Sequence, residues 1–471
     1  MNNDEFRAWA RRAADWGADY RATLRERPVR SRVKPGEIAA QLAASAPEDG
    51  EAMEAIVADF EAVILPGMTH WQHPRFFAYF PANAAPVSVV AEAYVTAMAA
   101  QCMLWQTSPS ATELETRVLD WLRQAVGLPE AFAGVIQDSA SSATLAAVLV
   151  MREKALAWEG NATGLAGKPP VRVYCSTEVH SSIDRAAWIA GIGAENLVRI
   201  PVSGPRKAMR ADLLEETIIR DLAIGMKPAG IIACVGGTSM GATDDVSALA
   251  AIAERHGLYL HVDAAWAGAA MICPEFRDLW AGVERADSIV FNPHKWLGAQ
   301  FDCSAHFIRD PDALMRTLAI RPHYLRSTSG NGDGVINYSE WSIPLGRRFR
   351  ALKLWFLLRA HGLAALRTMI RNHVAWSRAL AERIRGTRGF AIVTEPILSL
   401  FTFRYVGDGS GDADARTRDL ITRINDDGRI YLTQTTVDGN FVIRFQAGSF
   451  DATEADVMTA YDVIVEMAGA G

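Results

Sequence analysis

Between residues 134 and 308 the chain alternates short apolar runs with amphipathic helical stretches. The runs are Gly134–Gln137, Val171–Cys175, Leu197–Val202, Gly230–Val235, Leu258–Val262, Ser288–Phe291 and Ser304–Ile308. Short continuous apolar runs separated by helices predict strands buried on both faces. The expected fold is therefore α/β: a mostly parallel seven-stranded sheet with helices on both sides. Upstream, Phe6, Trp9, Ala13, Trp16, Tyr20 and Leu24 recur at steps of three and four. They predict a helix capped at Asn3, whose aromatic stripe needs a large surface such as a partner subunit. After about Leu352 the alternation stops. One long helix is expected from Leu345 to near Arg385, then strands at Phe390–Val393 and Ile397–Tyr405. Arg429–Thr436 and Asn440–Gln446 flank Asp438-Gly439, a two-residue hairpin signal, and a last helix starts near Thr453. The chain thus divides into a helical N-terminal segment (1–85), a large domain (86–352) and a small α+β domain (353–471).

Composition narrows the function. Of 471 residues, half are hydrophobic and 22% charged, which describes a packed chain of two or three structural units. A net charge of −6 disfavours nucleic acid and anionic membrane as partners. The basic run Arg347-Arg348-Phe349-Arg350 opens a helical pattern and is expected to pair locally. Glu92 and Gln101 interrupt the apolar region 87–105, so no membrane span is expected, and Asp4 and Glu5 argue against a signal peptide. Five cysteines without a CxxC pair, each in an apolar run, predict buried reduced thiols in a cytoplasmic protein that holds no metal.

The candidate chemistry lies at strand ends, where ligands bind in open sheets of this kind. Ser139-Ala140-Ser141 follows the first strand and opens a helix, whose unpaired N–H groups favour an anion. His180 stands at the next helix start, where Ser181 and Asp184 have capping-box spacing. "LYLHVDAAWAG" ends its strand in Asp263, a buried carboxylate that needs a cationic partner. Ala265, two residues on, faces the same side and leaves room for a flat ring. "SIVFNPHKWLG" places Lys295 between His294 and Trp296 just past a core strand. Alone, Lys295 reads as a loop lysine reaching solvent; beside the other groups it reads as an activated amine. Ser139, Ser141 and His294 for a phosphate, Asp263 for a ring nitrogen and Lys295 for an aldehyde together describe pyridoxal 5'-phosphate.

With these residues in place, the chain resembles the group II pyridoxal-phosphate-dependent decarboxylases, most closely the aromatic L-amino acid decarboxylases. The motifs are "HWQHPRFFAYFP", "SPSATELE", "VHSSIDRA", "HVDAAWAG", "CPEFR", "NPHKWL", "FDCSA" and "IPLGRRFRALKLW", in family order over roughly residues 1–450. The resemblance implies the PLP-dependent transferase fold type I and a homodimer that swaps its N-terminal segment. It assigns Lys295 to the Schiff base with the cofactor, Asp263 to the pyridine nitrogen and His180 to stacking on the ring. Ser139, Ala140, Ser141, Asn292 and His294 match phosphate positions. Ala265 lies against the ring, and Thr238, next to Gly237, is a further phosphate candidate. Tyr324, in "RPHYLRSTSGNGDGVINY" with Gly330, Gly332 and Gly334, matches the proton donor on a mobile lid. The substrate positions are Trp71, Tyr79, Phe80, Pro81, Ala82, Met103 and Gly346.

The chain departs from the family pattern at several of these places. Asp138 stands where animal relatives carry glycine, Gly237 where relatives have a phosphate-site threonine, Ala82 where a polar residue lies near the substrate ring, and Trp266 where many have tyrosine. The implied activity is decarboxylation of aromatic L-amino acids, tryptophan included and phenylalanine, tyrosine and dopa rings also accepted. An aldehyde synthase of the same family would carry phenylalanine at position 324 or asparagine at position 180, and this chain has neither. A histidine or glutamate decarboxylase would need a more polar pocket. A silent cofactor-binding protein would not need Lys295, Asp263, His180 and Tyr324 together.

Overall fold

The apolar runs become strands because most of their positions are buried, with Arg172 and Arg199 the half-buried polar exceptions in β2 and β3. β1 (Ala133–Gln137), β2 (Val171–Ser176), β3 (Leu197–Ile200), β4 (Val202–Ser203), β5 (Ala208–Met209), β6 (Lys227–Cys234), β7 (Tyr259–Asp263), β8 (Ser288–Phe291) and β9 (Ser304–Ile308) follow in chain order. Seven of them form one sheet in the order β1-β9-β8-β7-β6-β2-β3. Every residue of β7, β8 and β9 is buried, which explains their lack of alternation. Within this sheet β9 alone runs antiparallel to its neighbours. The run expected to reach Val202 stops at Ile200, because Pro201 has no N–H for the ladder; β4 pairs instead with β5. Register pairs Cys234 with Asp263 and Asp263 with Val290, so the carboxyl ends of β6, β7 and β8 lie side by side.

The computed structural model describes residues 1–320, 335–409 and 411–469. Tyr324 and the glycines 330, 332 and 334 lie outside them. The chain forms two compact units: Ala82–Ala375 with Thr394–Phe401, and Met1–Pro81 with Trp376–Val393 and Thr402–Gly471. The first contains the seven-stranded sheet. The second contains β12 (Thr433–Val437) and β13 (Asn440–Gln446); with β10 (Phe390–Ile397) and β11 (Leu400–Tyr405) the sheet order is β10-β11-β13-β12. Asp438 and Gly439 join β12 to β13 at φ 50° and 79°, the two positive angles of the expected tight hairpin turn.

Two helix boundaries differ from expectation. The first helix is capped by Asn2, which accepts from the N–H groups of Asp4 and Glu5 while Glu5 accepts from Asn2. Only Asn2 has a glutamate three residues on, so only it can close a capping box. The long helix begins at Arg350 rather than Leu345, and Gly362 breaks it at φ 66°, in the left-handed region. Trp16 of the first helix stacks on Tyr20 at 5.2 Å, and the Tyr20 hydroxyl meets His70 Nδ1 at 2.8 Å. No residue of that helix is fully buried in the isolated chain.

Among the described residues, the sheet-bearing unit buries four histidines as neutral rings. Burial pushes His294 and His306 down to about 3, His373 to about 4, and His261 well below its ordinary value. His261 is held by Ser288 and Thr144, whereas among the described residues neither ring nitrogen of His306 has a hydrogen-bond partner. Above pH 6.5 both folded and unfolded chains keep these rings neutral. Below it the unfolded chain takes up protons that the folded chain refuses, so stability falls with pH by up to about 1.4 kcal/mol per unit for each ring. Urea unfolding should therefore show decreasing stability from pH 7.5 to 5.5. His306→Met should flatten that slope by roughly one proton's worth. An unchanged slope in the variant would contradict this account of His306.

Candidate active site

The helix after β1 starts at Ser139, an extended residue whose Oγ accepts the Ser142 N–H at 3.2 Å. The Ser139 hydroxyl in turn donates to Asp138 Oδ1 at 3.0 Å, so this unusual carboxylate is engaged by its neighbour. Ser141 is exposed at the helix start. Ala140 and Ala143 pack with Val290 and Ala265 into a wall of small side chains. Such a wall leaves space for a planar group.

Beside that wall Asp263 ends β7, 7% exposed. Burial raises its pKa; Lys295, the Ala265 N–H at 3.0 Å from Oδ1, and His180 pull it back down. That N–H is the only hydrogen bond to this carboxylate among the described residues. A desolvated carboxylate with one donor is complementary to a protonated heterocyclic nitrogen.

Lys295 sits in the single turn Pro293–Trp296 after β8. Backbone bonds tie this turn to the loop after β7: Asn292 N–H to Ala265 O at 2.9 Å and Ala264 N–H to Val290 O at 3.0 Å. The Asn292 side chain accepts from the Ser304 hydroxyl. His294 Nδ1 accepts the Cys303 N–H at 2.9 Å, which places the proton of this buried neutral ring on Nε2.

Sequence reasoning overlooked Asn83. It is fully buried, donates its N–H to His294 O at 2.9 Å and its side-chain amide to Lys295 O at 2.6 Å, and so holds the lysine turn from the opposite side. Its one signal was a lone amide within the small, apolar stretch "FPANAAP".

His180 presents an exposed ring. Desolvation where it meets the protein lowers its pKa, opposed by Asp263 and reinforced by Lys295. Its Nδ1 accepts the Ser182 N–H at 3.1 Å, which leaves Nε2 protonated. The capping box expected between Ser181 and Asp184 does not form. Ser181 is itself helical, His180 satisfies the helix start, and Asp184 pairs with Arg199. Thr238 is half-buried in the turn between Gly237 and Gly241.

The substrate candidates are distributed over both units. In the sheet-bearing unit Ala82 and Met103 are half-buried, and the Met103 carbonyl accepts the Ser339 N–H at 3.0 Å. Gly346 is exposed, and a Cβ there would lie 3.2 Å from Gln101 Nε2. The basic run beside it is spent locally, as expected: Arg347 on buried Glu115, Arg348 on Glu92 and Arg350 on Asp302.

In the other unit Trp71 and Tyr79 are exposed and stack at 5.8 Å, while Phe80 and Pro81 are buried. Tyr79 adopts φ 47°, a strained angle for a non-glycine. Thr433 and Arg444, directly opposite each other on β12 and β13, hold it there. Thr433 Oγ1 accepts the Tyr79 N–H at 3.3 Å, and Arg444 Nη1 donates to the Tyr79 carbonyl. The Arg444 guanidinium also lies 4.6 Å over Phe80, and burial lowers its pKa to about 9. Neither clamp residue was legible in the sequence, because cross-strand partners of a distant loop leave no local pattern.

The donor set fits pyridoxal phosphate: an anion awaiting a ring cation, an adjacent lysine, a small-walled slot and the start of a sixteen-residue helix. Known proteins agree. Residues 35–406 match the model of the pyridoxal-dependent decarboxylase conserved domain. The chain is 38% identical to phenylacetaldehyde synthase of Arabidopsis thaliana over 477 residues, 99% of this chain and 96% of that one. It is 38% identical to aromatic-L-amino-acid decarboxylase of Rattus norvegicus over 480 residues, 99% and 98%. The crystal structure of Oryza sativa TDC with PLP and tryptamine superposes with a TM-score of 0.96 at 34% identity, covering 100% of this chain and 99% of that one. Its fold is PLP fold type I, with pyridoxal 5'-phosphate as the cofactor, and the chain belongs to the pyridoxal-dependent decarboxylase family.

Proposed function

We propose that this protein decarboxylates aromatic L-amino acids to the arylalkylamine and carbon dioxide, accepting tryptophan and also phenylalanine, tyrosine and dopa rings. The observation that carries the reading is Asp263 buried beside Lys295 at adjoining strand ends. When bound, pyridoxal phosphate supplies an electron sink for the bond to the departing carboxylate. The protein supplies the rest. Lys295 would be the covalent anchor of the cofactor. Asp263 would keep the ring nitrogen protonated, and neutral His180 would cover the ring face. Ser139, Ala140, Ser141, Thr238, Asn292 and His294 would hold the phosphate, and Ala265 would flank the ring. Tyr324 returns a proton to Cα. Orientation and a preset charge account for most of the acceleration.

An aromatic substrate is supported by the relatives' names, by the tryptamine bound to the rice protein, and by the character of Trp71, Tyr79, Phe80, Pro81, Ala82 and Met103. One arginine, Arg444, lies beside Phe80, but it is committed to the Tyr79 carbonyl. His180 and Tyr324 favour amine over aldehyde as product. Five buried free thiols fit a cytoplasmic setting, and among the described residues no helix is long and apolar enough to cross a membrane. The half-exposed Trp9, Trp16 and Tyr20 suit a helix that packs on a second subunit in a homodimer.

The test is kcat/KM for amine and carbon dioxide release across tryptophan, phenylalanine, tyrosine, dopa, histidine and glutamate. The aromatic acids should lead; a preference for histidine or glutamate overturns the assignment. Gly346→Ser must displace the Gln101 amide and should lose efficiency on tryptophan more than on tyrosine. In the same assay, run in air so that dissolved dioxygen is the oxidant, Tyr324→Phe should lose amine and gain aldehyde and hydrogen peroxide, and an unchanged amine yield would remove Tyr324 from the mechanism. Light scattering at micromolar concentration should give the mass of two chains; a fully active monomer would exclude the dimer.

A further inference from the structure

Behind the cofactor-facing residues lies a column of rings that the chemistry above does not use. Trp266 follows Ala265 directly, and Trp296 follows Lys295 directly. Their indoles stack at 4.9 Å with 14° between planes, and both are fully buried. Trp296 Nε1–H donates to His373 Nδ1 at 2.9 Å, and the His373 ring lies within 4° of parallel to the Trp296 indole. His373 is fully buried, and because Nδ1 accepts, its proton sits on Nε2. Burial keeps it neutral, with a pKa of about 4.

The lysine turn needs such support. Pro293–Trp296 is a single helical turn, too short to define its own orientation. A rotation of Trp296 about the turn would carry the Lys295 Cα with it. The stack adds a side-chain link between two arms that backbone bonds join only at their bases, Asn292 N–H to Ala265 O and Ala264 N–H to Val290 O, since Trp266 belongs to the loop after Asp263 and Trp296 to the turn after β8. Packing around it is tight: a Cβ on Gly268 would lie 2.5 Å from the Phe291 Cβ. The loop carrying Trp266 therefore has no slack in which to drift.

We infer that the Trp266–Trp296–His373 column is the device that fixes the Lys295 amine relative to Asp263, with His373 as a positioning residue acting through the Trp296 indole. The inference rests on the functional reading above. Trp266, where many relatives carry tyrosine, gives this chain a larger stacking face at the same place.

The experiment compares the pyridoxal-phosphate-loaded wild type with His373→Leu, His373→Asn and Trp266→Tyr. Two quantities are read: the rate of cofactor release on dilution, and the pH midpoint of the bound cofactor's visible absorbance. Thermal midpoints of the cofactor-free proteins report on folding separately. His373→Leu removes the acceptor and should release cofactor about tenfold faster, as expected for one lost buried hydrogen bond, with a displaced midpoint. Asn Oδ1 can take the place of Nδ1, so His373→Asn should stay within about threefold of wild type. Equal release by the Leu and Asn variants, or release from the Leu variant at the wild-type rate, overturns the inference. If His373→Leu does not fold, Trp266→Tyr decides. It shortens the stack and should release cofactor faster with a shifted midpoint, and wild-type values in both would overturn the inference. A wild type that takes up no cofactor overturns the functional reading and this inference with it; a wild type that loads normally confines any failure to the column.

Discussion

The Asp263 carboxylate has to remain charged in a place from which water is largely excluded. Removing a carboxylate from water costs several kcal/mol after relaxation, and one backbone N–H does not repay it. Lys295 and His180 lower the cost, yet burial still dominates, and the group is pushed toward its neutral form. A ring cation lodged against it reverses the balance. The strand end is thus built for a ligand that carries the missing charge. The same arrangement sets Lys295 close enough to act on that carboxylate, beside a wall formed by Ala140, Ala143, Ala265 and Val290.

Holding that geometry requires stiffness, and the surrounding structure supplies it through backbone. The loops after β7 and β8 are cross-linked by Asn292 N–H and Ala264 N–H, while Asn83 grips two consecutive carbonyls of the lysine turn. Antiparallel β9 brings Ser304 to the carboxyl end of β8, where its hydroxyl orients Asn292. The buried Arg347–Glu115 pair joins β1 to the segment carrying Gly346, since both partners also bond Ile136. The Trp266–Trp296–His373 column extends the same logic to the lysine itself. In the other unit, the clamp of Thr433 and Arg444 on Tyr79 stores backbone strain in a segment expected to meet substrate.

What the sequence made legible follows from the range of each interaction. β8, β9 and β13 match the apolar runs residue for residue, and Asp438-Gly439 turns as its dipeptide requires. Asp263, Ala265 and Lys295 come together because strand ends in such sheets share one rim. Features set by competition between neighbours were read less well. Asn2 displaced Asn3 as the cap, His180 displaced Ser181, and Gly362 split a helix whose apolar periodicity continues across it. The direction of β9 and the partners Asn83, Thr433, Arg444 and His373 depend on contacts far apart in the chain. No local pattern encodes them.

The most direct test of the account is to locate the covalent anchor. Borohydride reduction of the purified yellow holoenzyme, followed by proteolysis and mass mapping, should place the reduced pyridoxyl group on the peptide containing Lys295. Lys295→Ala should bind the cofactor without any reducible link. Attachment to another lysine, or an intact reducible link in Lys295→Ala, would contradict the central claim that this turn and Asp263 form one site.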